Sequence, residues 1–233
     1  MLQKKQIQKE LEILYKVAQS VHSLEIGELL EELAHIVDEI SQADSILIYI
    51  LDPKKNELIL RSSKNPHSNL LKKIKIKLGE GITGWVAQEK KMVVLSQNAY
   101  KDSRFKHFSS LPEDTFEAFL SVPIMNKKGI LGVINVQHKK PHVHSVSEIN
   151  LLSAIGKLVG GAVDNALLVE ESLSLKEALE MRKIVEKAKG ILMKRKNLSE
   201  DEAFKLIQKE SMNSRKSIKE IAEIIILAQK IYT

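Results

Sequence analysis

At 233 residues the chain can hold one large domain or two modest ones, and 43% hydrophobic with 28% charged residues is an ordinary globular balance. It contains no cysteine, which excludes disulfides, thiolate nucleophiles, Cys-based zinc sites, iron–sulfur clusters and a thioether-linked chromophore. Of the formal charge of +6, +5 falls in residues 172–233 (14 Lys+Arg against 9 Asp+Glu) with three of the five arginines, so a polyanionic partner is expected for that portion alone.

The first 14 residues, MLQKKQIQKELEIL, have no apolar core and no small-residue cleavage site, and runs such as Ile46 to Leu51 are far too short to span a bilayer. A cytoplasmic protein without membrane contact is expected. Residues 3–22 read as an amphipathic helix. Ile7, Leu11, Leu14, Ala18 and Val21 step by 4, 3, 4 and 3, a heptad seam that either pairs with a second copy or packs on a later helix. A second helical pattern runs from Ile26 to Ile40.

The period then shortens to that of strands. Ser45–Asp52 and Glu57–Ser63 flank the turn Asp52-Pro-Lys-Lys-Asn56. Lys72–Leu78 alternates Lys with Ile, predicting one buried and one solvated face. Gly79, Gly81 and Gly84 lead into a short helix, Thr83 to Lys90. No Lys-Ser/Thr follows, so this is not a phosphate-binding glycine loop. A strand at Met92–Ser96 precedes a long polar loop, 98–116, and two strands, 117–125 and 130–138, form the clearest hairpin. Ser145 then caps a helix predicted to run very far. Leu152, Ile155, Val159, Ala162, Ala166, Val169 and Leu173 keep heptad spacing, and the seam falters at Lys176 and Glu180 before Ile184, Ala188 and Ile191 resume it. The fold class is α+β: six mainly hairpin-linked strands in an antiparallel sheet with helices on one side, then a long connecting helix and an all-α module.

The ordered set Gly79-Glu-Gly-Ile-Thr-Gly-Trp-Val-Ala87, Val93-Val94, Asp102-Ser-Arg-Phe105, Ser121-Val-Pro-Ile124 and Leu131-Gly-Val-Ile-Asn-Val136 resembles a GAF domain over roughly Ile26 to Leu167. The resemblance implies a six-stranded antiparallel sheet, a small-molecule pocket between the sheet and the loop after its fourth strand, and dimerisation through flanking helices. The ligand is not implied, so the cofactor is unknown. Asn126-Lys127 matches half of the cyclic-nucleotide signature, but the downstream Phe and acidic pair are missing around His142–Glu148. Trp85, Phe105, Phe108 and Phe116 are the expected pocket aromatics. His138, His142 and His144 are metal-capable, but no acidic or sulfur ligand stands beside them in the sequence, so no metal is assigned. Asp52 reads as turn chemistry.

Residues 185–233 carry a second resemblance. Glu186-Lys-Ala-Lys-Gly-Ile-Leu-Met193, Leu198-Ser-Glu-Asp-Glu-Ala-Phe204, Ser211-Met212 and Ile221-Ala-Glu-Ile-Ile225 resemble an ANTAR domain. That implies a three-helix RNA-binding module of transcription antiterminators, which recognises paired hairpins in a leader transcript. Two capping boxes, Ser199-Glu-Asp-Glu202 and Ser217-Ile-Lys-Glu220, start its second and third helices. Ala188, Ile191, Leu192, Ala203, Leu206, Ile207, Ile221, Ala222, Ile224 and Ile225 are its expected core. Lys189, Lys194, Arg195, Lys205, Lys209, Arg215, Lys216 and Lys219 are left to face RNA, with Gly190 permitting close backbone approach. Arg195 and Arg215 are favoured because a guanidinium both stacks on bases and grips phosphate. Many ANTAR sequences are basic where Gln208 stands; here Lys209 is its neighbour.

The expected bounds are 1–22 for a coiled-coil-like helix, 23–169 for the GAF sensor, 170–184 for a helical linker and 185–233 for the ANTAR module. The expected function is a ligand-sensing transcription antiterminator, not an enzyme, acting as a homodimer on two-hairpin leader RNA. A ligand-responsive helix-turn-helix DNA-binding factor and a protein-docking adaptor are the alternatives.

Overall fold

The structure is a computed structural model that describes residues 2–20, 25–64, 70–106 and 116–231. The chain divides into two compact units, Met1–Val169 and Glu170–Thr233. In order, the elements are α1 (Leu2–Ser20), α2 (Ile26–Ser41), β1 (Ser45–Asp52), β2 (Glu57–Ser63), β3 (Lys75–Lys77), α3 (Gly81–Glu89), β4 (Val93–Leu95), β5 (Ala118–Met125), β6 (Ile130–His138), α4 (Val146–Leu158), α5 (Gly160–Lys196), α6 (Glu200–Ser214) and α7 (Ile218–Ile231). A 3-10 turn, Ala99–Lys101, breaks the expected long loop.

The sheet order is β3-β2-β1-β6-β5-β4, and every pairing is antiparallel. Its central strands are buried on both faces, so they read as continuous apolar runs. Alternation sorts their side chains. Ile46, Ile48 and Ile50 of β1, Leu120, Val122 and Ile124 of β5, and Ile134 and Val136 of β6 meet α1, α2, α4 and the first turns of α5. Leu47, Tyr49, Phe119 and Val133 point the other way, against Ile82, Val86 and Ala87 of α3. The expectation of helices on one side therefore needs correction, because α3 covers the second face.

Both expected heptad seams also change meaning. On α1, Ile13 and Val17 carry the burial while Leu11 and Ala18 are exposed; Ile7 and Val21 lie outside the described side chains. Of the later seam, Leu152, Ile155, Val159, Ala162 and Ala166 are buried in this chain's own core, whereas Leu173 is exposed. The expected single helix is interrupted at Val159, although Val159 N–H still bonds Ile155 O and Val163 N–H bonds Val159 O. The stretch 146–196 is long and apolar enough by composition to cross a bilayer, but the buried residues just named use that apolar surface for the core. The strand expected at 72–78 is only Lys75–Lys77, because Lys72 turns at φ +63° and Ile74 N–H bonds Leu70 O.

In the second unit, α5, α6 and α7 enclose Ala188, Leu192, Ala203, Ile207, Ile221 and Ala222. Ile224, expected in this core, is exposed instead. Asn197 (φ +49°) follows the end of α5, and Ser199 starts α6 with a complete capping box. Ser217 and Glu220 exchange the same bonds at the start of α7.

Gly160 opens α5 against the β5–β6 turn. A Cβ there would lie 1.9 Å from Met125 O, while one on Gly161 would meet nothing within 4 Å. Gly160→Ala is therefore expected to cost about 1–3 kcal/mol in urea unfolding. Gly161→Ala should be neutral or stabilising by up to about 1 kcal/mol, since only helix propensity changes.

Candidate nucleic-acid interface and sensor pocket

Most of the basic side chains of the second unit come from three places. Lys187, Gly190 and Lys194 follow i, i+3, i+7 spacing and share a face of α5, with Arg195 next to it. Lys205 and Lys209 are one turn apart on α6. Arg215, Lys216 and Lys219 lie at the α6–α7 turn and the start of α7. Lys194, Arg195, Lys205, Lys209, Arg215, Lys216 and Lys219 are all exposed. Gly190 is half-buried, and nothing lies within 4 Å of where its Cβ would be, so no neighbouring helix explains the missing side chain.

Lys189 is different. It is 8% exposed, and its Nζ lies 2.7 Å from both Glu186 Oε1 and Glu200 Oε1. The hydrogen bonds to Glu186 and then Glu200 raise its pKa, and Lys189 in turn lowers that of Glu200. The charge expected to face RNA instead ties α5 to the first turn of α6. Arg215 has a second duty. It caps α6 at φ +55°, its N–H on Ser211 O, where glycine would be the unstrained residue. Phe204 and Met212 are exposed apolar residues on the same helix as Lys205 and Lys209.

In the first unit, the sheet face under α3 holds a cavity of about 30 Å³. Its lining includes Tyr49, Thr83, Phe105, Phe119, Asn135 and Gln137. A chain of hydrogen bonds runs beside it: Ser121 Oγ donates to Asn135 Oδ1 (2.7 Å), and Asn135 Nδ2 donates to Thr83 Oγ1 (2.8 Å). Gln137 Oε1 is buried with no partner among the described residues. Of the expected pocket aromatics, Phe105 lines this cavity and Trp85 and Phe116 do not. Trp85 lies under the Arg104 guanidinium at 4.6 Å, and Arg104 grips Asp102 with two 2.8 Å bonds that hold its carboxyl below the usual range. Phe116 is buried with Lys139 Nζ 5.8 Å from its ring, and Phe108 lies outside the described residues. Asn135 and Gln137 did leave a signal in the sequence: polar residues at alternate positions of the apolar strand Gly132–His138.

The fold also supplies what the sequence lacks beside His138, His142 and His144. Glu148, in the first turn of α4, sits 2.8 Å from His144 Nδ1 and 3.8 Å from His142 Nε2. Burial pushes the Glu148 carboxyl up, but the His144 bond and the two imidazoles together bring it below its ordinary value. Burial, then His142 and His144, lower the His138 ring to about 4. The ground for assigning no metal there, the missing acidic neighbour, does not hold in three dimensions.

Comparison with known proteins gives two domain matches: the GAF domain over residues 23–164 and the ANTAR domain over residues 173–226. The chain belongs to the GAF domain family, and an ANTAR domain follows. The chain is similar to the transcriptional regulatory protein PdtaR of Mycobacterium tuberculosis, 38% identical over 77 residues, covering 33% of this chain and 38% of that protein. The formate hydrogenlyase transcriptional activator of Salmonella typhimurium is 27% identical over 174 residues, 72% of this chain and 25% of the activator. The chain thus spans well under half the length of either relative. The GAF domain of a phosphoenolpyruvate-protein phosphotransferase from Acinetobacter superposes with a TM-score of 0.62 at 26% identity, covering 70% of this chain and 98% of that one. Free methionine-R-sulfoxide reductase of Neisseria meningitidis shares the GAF fold at 15% identity, with a TM-score of 0.55 and coverage of 67% and 88%.

The cavity's polar groups are not equivalent. Asn135→Leu strands two buried hydroxyls and should cost about 1–3 kcal/mol in chemical denaturation. Gln137→Leu removes an acceptor that is already unpartnered and should be neutral or stabilising by about 1 kcal/mol.

Proposed function

We propose that this chain is a transcription antiterminator of the leader-RNA type, its GAF domain sensing a small molecule and its ANTAR domain binding paired RNA hairpins. The observation that supports RNA binding best is the exposed set Lys194, Arg195, Lys205, Lys209, Arg215, Lys216 and Lys219, which forms no salt bridge among the described residues. Folded hairpins present phosphates in fixed array and unstacked loop bases, which suit cations and guanidinium planes held on rigid helices. Gly190 would let the α5 backbone approach the ligand. Lys189 holds the α5–α6 angle and makes no direct contact in this reading. The similarity to transcriptional regulators favours a regulator over an enzyme. The activity is placed in the cytoplasm, where transcripts are made.

Paired hairpins call for two ANTAR domains, and the chain offers a seam for a parallel homodimer. Leu158, Gly161, Asn165, Leu168, Ser172, Leu175 and Leu179 step 3, 4, 3, 4, 3, 4 and are all exposed. This seam is offset by one residue from the one that serves the core.

For the sensor, Gln137 Oε1 is an acceptor waiting for a donor, so the ligand carries an N–H or O–H at that point. The cavity of about 30 Å³ admits little more than water, and a metabolite would enter by widening it. A DNA-binding reading has less support, because the connection Asn213-Ser-Arg-Lys216 between α6 and α7 lacks the glycine often found in a helix-turn-helix turn.

Titration of the full chain with a two-hairpin leader RNA at several salt concentrations tests the site. Arg195→Ala with Arg215→Ala should weaken binding and lower the salt slope by about 2. An unchanged slope would reject these residues as contacts. Arg215→Gly separates the two duties of that residue: it should raise stability by about 1 kcal/mol, by relieving the left-handed cap, and still weaken RNA binding.

A further inference from the structure

Four side chains converge at the junction of β6 and α4, and none of them lines the cavity. His138 ends β6, His142 and His144 lie in the loop that follows, and Glu148 stands in the first turn of α4. Alternation along β6 puts Gln137 on the cavity side of the sheet and His138 on the other. One ligating atom from each imidazole lies within 4.8 Å of the other two. The rings of His138 and His142 stack at 3.9 Å, with His144 at 5.3 and 4.7 Å, so one of the stacked rings must turn to bring its in-plane lone pair onto a shared ion.

The hydrogen bonding fixes what these nitrogens can do. His144 Nδ1 faces the Glu148 carboxylate, an acceptor, so the ring proton sits on Nδ1. Nε2 of His144 is then a bare lone pair. It is buried and has no partner among the described residues, and the same is true of Nε2 of His138. Buried imidazole nitrogens ordinarily find a donor or acceptor. Two side by side without one, next to a third ring, are a poor arrangement for a core and a suitable one for a cation. Backbone bonds hold the loop in place: His142 N–H donates to Ser96 O, and Lys139 N–H to Asp44 Oδ2.

We propose that His138, His142 and His144 bind a divalent transition-metal ion of the zinc type, with Glu148 orienting His144 from behind. Three neutral imidazoles without thiolate suit zinc and its neighbours. They do not suit magnesium or calcium, which take oxygen ligands. A carboxylate on the far nitrogen of a ligating histidine is the usual outer-shell partner of such a site. His142, partly exposed, lies on the path by which the ion enters and leaves room for a solvent ligand. The site is part of the GAF domain but does not depend on RNA binding or on a ligand in the cavity.

The test uses the full-length chain without an affinity tag, stripped with chelator and titrated with zinc against a chromophoric competitor. One zinc per chain is expected. Glu148→Gln should weaken binding about 10–100-fold, as loss of an outer-shell partner does, and His138→Gln with His144→Gln should weaken it by more. Cobalt(II) added to the unaltered chain should give the strong visible bands of a four-coordinate nitrogen site. Circular dichroism reports whether each variant folds, and the cobalt spectrum needs no variant. No stoichiometric zinc on the native chain, equal affinity in a folded double variant, or only the weak bands of six-coordinate cobalt would each overturn the proposal.

Discussion

A helix with no buried side chain has only its own propensity to hold it, and from Glu170 to Lys183 α5 is such a helix: every residue is exposed. Isolated helices of that length are marginal in water. The Glu180–Lys183 pair adds little, being fully exposed to solvent screening. What sustains the segment is burial at both ends. Ala162, Val163 and Ala166 are fixed in the GAF core, and Ala188 and Leu192 in the ANTAR core. Helix already nucleated on each side propagates through the middle at one backbone bond per residue. The leucines at 168, 175 and 179 stay exposed along this stretch.

The GAF domain shows how one strand can serve two purposes. β6 is buried on both faces, and its last residues alternate between them: Asn135 and Gln137 toward the cavity, Val136 and His138 away from it. The polar groups on the cavity side hold a hydrogen-bonded chain to α3 with one acceptor left over. The imidazole at the strand's end meets two more from the loop. Buried polar atoms are costly unless partnered, and among the described residues this strand keeps two without one, Gln137 Oε1 and His138 Nε2.

Much of this was legible in the sequence. The Ser199 and Ser217 boxes marked helix starts because capping is local chemistry read within four residues. The hairpins at Asp52–Asn56 and Asn126–Gly129 were legible for the same reason. The two domain types were recognisable from ordered motifs, although each motif alone is weak. What stayed hidden depended on contacts distant in sequence or on a choice between faces. Heptad spacing cannot say which residues face the chain's own core, and one residue apart Val159 is buried while Leu158 is exposed. Lys189 looked like any other cation until α6 brought Glu200 to it. Trp85 and Phe116 were plausible pocket aromatics by type, but position favoured Tyr49 and Phe119, which sit on the right sheet face. Glu148 follows His144 by four residues, and only a helix start between them makes that a contact.

The central claim is that the basic three-helix domain reads RNA hairpins in pairs. The most direct measurement is competition on the full chain among a two-hairpin leader RNA, its single hairpins and duplex DNA of equal length and charge, with stoichiometry read by analytical ultracentrifugation. The account predicts that the two-hairpin RNA wins well beyond either single hairpin and binds two chains per RNA. Equal affinity for all four competitors, or preference for the DNA duplex, would contradict it.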